Sequence, residues 1–478
     1  MTPRKQATFE FTAAGGRRVQ ADFSGGTLST DGGVLWVREL DQRLNMSPRL
    51  SDCFIDHRDA RFVEHRLPEL VRQRLMALVL GYEDLNDHQT LRTDPLLAVA
   101  VGKTDPTGQD RYCPSDRGNP LAGASTLNRF ELGLQHGPAK YRKIKANLEK
   151  MGGLLLALGV ETLDPDTCEV VLDFDSTDFP IHGTQENRFF HGYYGNYCYL
   201  PLYCFMGSVP LWAQLRPSNI DASSGTLEAL AQIVPAIRKR CPHARIIVRG
   251  DSGFCRDAIM TYCEAQSEVF FCLGLARNAR LQARLEQPFF SARITACLTG
   301  GQAREFIEFD YQTLDSWSRS RRVIGKAEVL LKGDNPRFIV TSLPHDGFSA
   351  QEIHRFAPHS CYENFYCARG DMENRIKEQQ LDLGADRTST HYMQANQLRL
   401  YFATFAYVLL ECFRSRLLHG TALAHATVGT LRLKLLKIAA QVHVSCRRIL
   451  VRFASAFPLQ DIAAIVQSRI QAWTPAIE

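Results

Sequence analysis

Hydrophobic positions along the chain change their period more than once. Between Pro68 and Gly102, in "PELVRQRLMALVLGYEDLNDHQTLRTDPLLAVAVG", they recur at helical spacing with breaks at Gly81 and Pro95. The stretches "STLNRFELGL" and "YRKIKANLEKMGGLLLALG" continue that pattern, so the first 165 residues are expected to be mostly helical after an extended start. From Val170 the texture turns β-rich. The runs "VVLDFDST", "NYCYLPLYCFMG" and "VPLWAQLRPS" are separated by Gly-containing turns, as in an antiparallel meander. A helix over about 225–239, the strand "RIIVRGDSG", a helix over about 256–266 and the strand "EVFFCLGLA" follow. The expected order is three strands, helix, strand, helix, strand, with the first strand central and the fourth beside it. Alternation in "AREFIEFDYQTL", "RRVIGKAEVLL" and "PRFIVTSL" predicts an inserted sheet within 276–360, and "YENFYCARGDMENRIKEQQLDLGAD" predicts a long helix after it.

Length and composition place this pattern in an ordinary globular chain. At 478 residues, 45% hydrophobic and 22% charged, two to four domains are expected. The longest apolar runs, such as "YFATFAYVLLECF", fall short of the roughly 20 residues of a membrane span, and "MTPRKQATFEF" has no apolar signal core. No membrane partner and a cytoplasmic location are therefore expected. The fourteen cysteines include no Cys-x-x-Cys pair and are expected to be reduced and buried. The net charge of +5 is concentrated: residues 387–469 hold eleven Lys or Arg against Glu411 and Asp461, which points to a polyanionic partner. The cluster Lys140, Arg142, Lys143 and Lys145 fits a phosphate contact or a solvated helix face.

The candidate chemistry begins at "LDFDSTD". In a strand Asp173 and Asp175 share one face while Phe174 points to the other, and two carboxylates side by side repel unless a cation or a proton lies between them. "DFDST" also resembles the first motif of the haloacid dehalogenase superfamily, whose phosphatases need a later Gly-Asp-x-x-x-Asp. The only counterpart, "RGDSGFCRD", has Cys255 at the last position and Asp257 two residues late. A Mg-dependent phosphatase thus stays an alternative. Metal-assisted phosphodiester chemistry instead needs carboxylates from separate elements to converge on divalent cations. Asp175 ends the first strand, Asp251 ends "RIIVRGD", and Glu373 lies on the helix after the insert. Tyr366, Arg369, Glu373 and Lys377, at spacings of 3, 4 and 4, line one helix face. A surface stripe of ion pairs has the same spacing, but beside two strand-end aspartates it reads as a metal ligand between two phosphate clamps.

Two further segments carry less specific signals. "RFFHGYYGNYCYLPLY" sets aromatics beside Arg188 and His191, which suits a hydrophobic hairpin or a surface that stacks on unpaired bases. His182 and His191 lack metal-ligand spacing. "LRLKLLKIAAQVHVSCRRILVRF" reads as a strand pair or a helix whose polar face tracks a nucleic-acid backbone.

Taken together, "LDFDSTD", "HGYYGNYCYLPLY", "LRPSNIDA", "VRGDSGFCRD", "LARNARL" and "YCARGDMENRIKEQQLDLGADRTS" closely resemble DDE transposases of bacterial insertion sequences, in particular the thirteen-eighty family, over about residues 20–460. The resemblance implies an α/β fold with a ribonuclease H-like mixed-sheet catalytic core over 166–275 and 361–420, interrupted by a β-rich insertion at 276–360. It further implies a mainly helical N-terminal region, 1–165, for DNA binding and dimerisation, and a basic C-terminal region, 421–478. Asp175, Asp251 and Glu373 become the catalytic residues and the ligands of two Mg²⁺ ions, with Mn²⁺ as a substitute. Tyr366 and Arg369 fit the helix signature Tyr-x2-Arg-x3-Glu; the family's Lys position is Gln380 here, and the nearest lysine is Lys377. Tyr366, Arg369, Lys377, Arg188 and His191 become DNA contacts, and Asp173 supports the site from behind. The implied activity is binding of the terminal inverted repeats of an insertion sequence, hydrolysis at the ends and joining of the 3′-hydroxyls to target DNA, by a homodimer in the synaptic complex and at the bacterial nucleoid. A non-catalytic DNA-binding derivative is the second alternative.

Overall fold

The computed structural model describes residues 8–133, 139–349 and 352–473. The first seven residues of the expected extended start lie outside that range. The chain divides into two compact units, Ala146–Val408 and a second made of Met1–Lys145 with Leu409–Glu478.

The Ala146–Val408 unit is built on one eight-stranded mixed sheet. Its strands are β1 (Glu169–Ser176), β2 (Leu202–Met206), β3 (Val209–Gln214), β4 (Arg245–Gly250), β5 (Val269–Leu275), β6 (Ala303–Tyr311), β7 (Arg321–Leu330) and β8 (Gly333–Thr341), in the order β3-β2-β1-β4-β5-β8-β7-β6. β1, β2 and β3 pair antiparallel as the predicted meander, whereas β4 runs parallel to both β1 and β5. The first strand is therefore central with the fourth beside it, as the pattern predicted. Helices α1 (Leu148–Val160), α2 (Thr226–Arg240), α3 (Asp257–Ala265) and α4 (Glu286–Thr299) cover one face, and on that side Val170, Leu172 and Phe174 of β1 join their apolar positions in a continuous core. A smaller core on the other face gathers Ile247, Cys272, Ile339, Phe356, Cys361 and Phe365. Alternation along β1 then leaves Asp173 and Asp175 on this second face.

Two expectations are refined. The strands of residues 303–341 do not form a sheet of their own: β8 pairs antiparallel with β5, from Cys272↔Thr341 to Leu275↔Phe338, so they prolong the central sheet. The run "NYCYLPLYCFMG" is not one strand. Pro201 cannot donate a ladder hydrogen bond, and the chain splits around it into Asn196–Tyr199 and β2; the former pairs with Phe179–Pro180 and Phe189–His191 in a small separate sheet. The long helix after the insert is wound unevenly. Cys361–Tyr366 is π-helical, Cys367–Arg369 is 3₁₀, and the regular helix α5 spans Gly370–Leu383, ended by Gly384 at φ 62°. Mixed winding of this kind is common where a helix serves a site. Helix α6 (Met393–Cys412) follows, and its Gln397 donates to the Ala213 carbonyl of β3 at 3.1 Å.

The second unit is mainly helical. Its helix Leu67–Leu80 stops at Gly81, whose φ of 90° is open to glycine without strain, and Pro95 opens the helix Pro95–Val101 behind the capping carboxylate of Asp94. Both predicted breaks are thus helix boundaries. The basic C-terminal stretch becomes a strand pair, Ala440–Val444 with Ile449–Phe453, which also meets Leu28–Ser29. Part of its charge excess is structural: Lys437 pairs with Asp31 at 2.5 Å, Arg432 donates to the Val79 carbonyl at 3.0 Å, and Arg414 pairs with Glu411. Arg447, Arg448 and Arg452 stay exposed. The cysteine expectation holds only in part, since seven of the fourteen are buried and five, including Cys113 and Cys367, are exposed; none forms a disulfide. No described helix is long and apolar enough to cross a membrane.

Candidate active site

The three candidate acids reach one cleft of ≈ 550 Å³, whose walls also include Arg369, Lys377 and Gln380. Asp175 sits at the end of β1, where its carboxylate accepts the Ser176 N–H at 2.9 Å. Asp251 follows the last residue of β4 and caps a 3₁₀ turn by accepting the Gly253 N–H at 2.8 Å. Because β1 and β4 are parallel neighbours, both carboxylates emerge at the same, C-terminal, edge of the sheet, the usual place for a ligand crevice. Glu373 comes from the first turn of α5. Between them lies the Arg369 guanidinium, 3.9 Å from Asp175 and 3.2 Å from Glu373.

Charge is out of balance here. Burial raises the Asp175 carboxyl to about 7, with Asp251 and Glu373 adding to the rise and Arg369 and the Ser176 N–H opposing it. Burial likewise pushes the Tyr366 phenol up to about 12 against the pull of Arg369. Burial by itself would lower Arg369, but Tyr366, Asp175 and Glu373 outweigh it and hold the guanidinium above its ordinary value. Two strands thus aim carboxylates at a place that a single guanidinium neutralises incompletely.

Directly behind Asp175, Asp173 is buried and grips Arg249 of β4 through two contacts, 2.6 and 2.8 Å long. Register explains the pairing, since Arg249 stands opposite Asp173 in the parallel ladder. Arg249 also donates to the Phe365 carbonyl in the π-helical turn, so one guanidinium ties β1, β4 and the segment that leads to Glu373. Burial raises the Asp173 carboxyl and Arg249 opposes the rise. Sequence reading placed Asp173 behind the site but missed Arg249; the signal was available, because both residues lie two positions before a strand-end aspartate on parallel strands.

The remaining candidates divide. His191 lines the cleft with Tyr193 and Tyr194, its ring 4.9 Å from that of Tyr194. Lys377 is exposed on the cleft wall one turn beyond Glu373, and Gln380 lies beside it. Tyr366 packs on the far side of Asp251, away from that cleft. Arg188 is not on the cleft wall; it stacks over Tyr197 with its guanidinium carbon 3.6 Å from the ring centre. His182 is exposed and takes no part in the cleft. Tyr194, whose hydroxyl donates to the Ser176 carbonyl at 3.4 Å, went unnoticed in the sequence because only the fold of the hairpin brings it to β1.

Tight packing around Asp251 supplies a test. A Cβ on Gly274 of β5 would lie 2.6 Å from the Tyr366 hydroxyl, 2.8 Å from the Ser252 nitrogen and 3.1 Å from the Asp251 carbonyl carbon. Gly274→Ala is expected to destabilise this unit by about 1–3 kcal/mol, the usual range for overpacking. A denaturation midpoint equal to that of the unsubstituted chain would show that the contact is not tight.

The phosphatase alternative finds no support in this geometry. Asp257 does not face the cleft but bonds the Ser318 N–H at 2.9 Å and Arg321 at 2.7 Å, and the first strand is followed by two antiparallel strands with no helix between them. The donor set suits a hard divalent cation, being three carboxylates with no Cys or His among them. Among the described residues, however, no group of three or more such side chains stands close enough to hold a metal ion as it is, and the Arg369 guanidinium occupies the intervening space.

Fold and cleft together define an α/β protein whose acidic residues meet at the C-terminal ends of neighbouring parallel strands, a site suited to phosphoryl chemistry. The chain belongs to the family Transposase DDE domain group 1, whose model matches residues 11–475. It is a transposase of the DDE class, a group that generally works with divalent metal ions and on DNA. No curated protein matches the chain.

Proposed function

We propose that this transposase binds the terminal inverted repeats of its own insertion sequence, cleaves at the ends by metal-assisted phosphodiester hydrolysis and joins the 3′-hydroxyls to target DNA as a homodimer. The observation that carries the reading is the arrival of Asp175, Asp251 and Glu373 at one cleft from two strand ends and a helix. The meander β1–β3 followed by the parallel β4 and β5 supports a ribonuclease H-like core. The helix signature around Tyr366, Arg369 and Glu373 supports membership of the thirteen-eighty family. Within this reading residues 1–165 serve DNA binding and dimerisation, the core at 166–275 and 361–420 carries the insertion at 276–360, and 421–478 form a basic C-terminal region.

Asp175, Asp251 and Glu373 would hold the divalent ions, two Mg²⁺ with Mn²⁺ as a substitute, and such ions would supply activation of the attacking oxygen and charge stabilisation at the leaving one. The chain's own residues do the rest. Arg369 leaves its partners Asp175 and Glu373 to neutralise the phosphate, a role suited to a planar guanidinium. Lys377 meets a neighbouring phosphate from the next turn of α5, and His191 faces the DNA from the hairpin. Asp173 and Arg249 keep the two strand ends in register. Incubating the full chain with labelled terminal DNA and Mg²⁺ should yield nicked and joined products. Asp251→Ala should remove both while end binding persists; cleavage by that variant would overturn the assignment.

A further inference from the structure

Asp251 and Arg369 have a second side. Beyond the acid cleft they also border a groove of ≈ 600 Å³ that runs over the end of β5 and the middle of β8, with Arg277, Arg337, Tyr362 and Tyr366 on its walls. Sheet order fixes the arrangement. The acid cleft lies over β1 and β4, and the groove lies over the next two strands, so the two flank Asp251. Arg277 follows the end of β5, and Arg337 stands on β8, one residue before the Phe338 that pairs with Leu275.

The arginines of this part of the unit are mostly committed to acids. Arg293 pairs with Asp334, Arg304 with Glu363, Arg321 with Asp257 and Glu264, and Arg322 with Glu308. Four exposed arginines here have no ion-pair partner among the described residues: Arg280 and Arg284 lie over the Tyr311 and Phe309 rings, whereas Arg277 and Arg337 face the groove. Two unpaired guanidiniums facing a groove lined with tyrosines form a surface for a phosphodiester backbone. Its junction with the acid cleft gives it a place in the reaction. Displacement at phosphorus puts the entering and departing oxygens on opposite sides, so the DNA strand must continue away from the acids in two directions.

The geometry points to a second backbone-binding subsite: Arg277 and Arg337 hold the DNA on the side of the reacting phosphate opposite the His191 hairpin. This rests on the transposase reading of the acid cleft. The DNA held there has two possible sources, the donor DNA flanking the element before cleavage or the target DNA during joining.

The test compares the full chain with its Arg277→Ala/Arg337→Ala variant and with a control, Arg293→Ala/Arg319→Ala, that removes two acid-paired arginines, Arg319 lying 3.4 Å from Glu264. Binding is measured by fluorescence anisotropy at several salt concentrations, without metal, on two terminal duplexes, one continuing into flanking DNA and one ending flush at the element. Joining of the flush duplex to a plasmid is measured with Mg²⁺. If the groove holds flanking DNA, the variant should bind the extended duplex about tenfold more weakly and lose about two from its salt slope, one for each phosphate contact, with flush-end binding unchanged. If it holds target DNA, both duplexes should bind normally and joining should fall about tenfold. Either result supports the subsite and names its occupant. Binding, salt slope and joining all matching the control would overturn it. Because the binding arm needs no chemistry, cleavage surviving Asp175→Ala would refute the acid assignment while leaving this measurement intact.

Discussion

Asp175→Asn is expected to abolish end cleavage, by roughly a thousandfold or more if a metal ligand is lost, and at the same time to stabilise the metal-free protein above neutral pH. The second effect follows from the sign of the shift. Folded Asp175 titrates at about 7 against an ordinary 3.8, so the folded state keeps a proton that the unfolded chain gives up. That contribution to stability is fully present below pH 3.8 and is lost as pH rises through about 7. Asn carries no such dependence. The two proteins should therefore diverge as pH rises, with an upper bound of about 4 kcal/mol in favour of the variant. Urea denaturation in EDTA at pH 5 and pH 8 checks this, and added Mg²⁺ should close the gap because a bound cation restores the value of the charged carboxylate. A wild-type chain more stable than the variant at pH 8 in EDTA would contradict the burial described for Asp175.

Arg249→Met should be the most destabilising single change near the site. It leaves Asp173 buried without its partner and frees the Phe365 carbonyl, a loss of about 3–5 kcal/mol for a broken buried ion pair. Replacing both partners, as Asp173→Leu/Arg249→Met, should recover much of that loss, because the desolvated charges disappear together. The check is a double-mutant cycle on the denaturation midpoint. A double variant whose loss equals the sum of the losses of Asp173→Leu and Arg249→Met would mean that the pair is not coupled.

The elements that positioned the acids were legible because each combines a local pattern with a local stop. The apolar run before Asp173 and the Gly before Asp251 mark strand ends, and the spacing of Tyr366, Arg369 and Glu373 marks a helix face. What escaped depends on pairing between distant segments. Nothing local in "PRFIVTSL" says that β8 joins β5 rather than closing a sheet of its own, and alternation is the same in either case. Arg249 reads as a polar interruption in "RIIVRGD" until Asp173 is placed opposite it. The basic count over residues 387–469 was misleading in a similar way, since Arg414, Arg432 and Lys437 are spent on Glu411, backbone carbonyls and Asp31. Cys113 and Cys367 are exposed because a residue type's habit of burial says little about one position.

The continuity of the eight-stranded sheet has a consequence for any attempt to shorten the chain. Its natural borders are blunt: β3 carries Pro210, and β6, "AREFIEFDY", carries a charge at nearly every second position. β5, "VFFCLGL", has no such protection and is safe only because β8 covers its open side. Excising residues 303–341 to obtain a minimal core would uncover a nearly uncharged, strongly apolar strand, a template for association with other copies. The insertion therefore doubles as the seal on the sheet that carries Asp251, and a trimmed protein should be sought with a capped or charged β5 rather than by deletion alone.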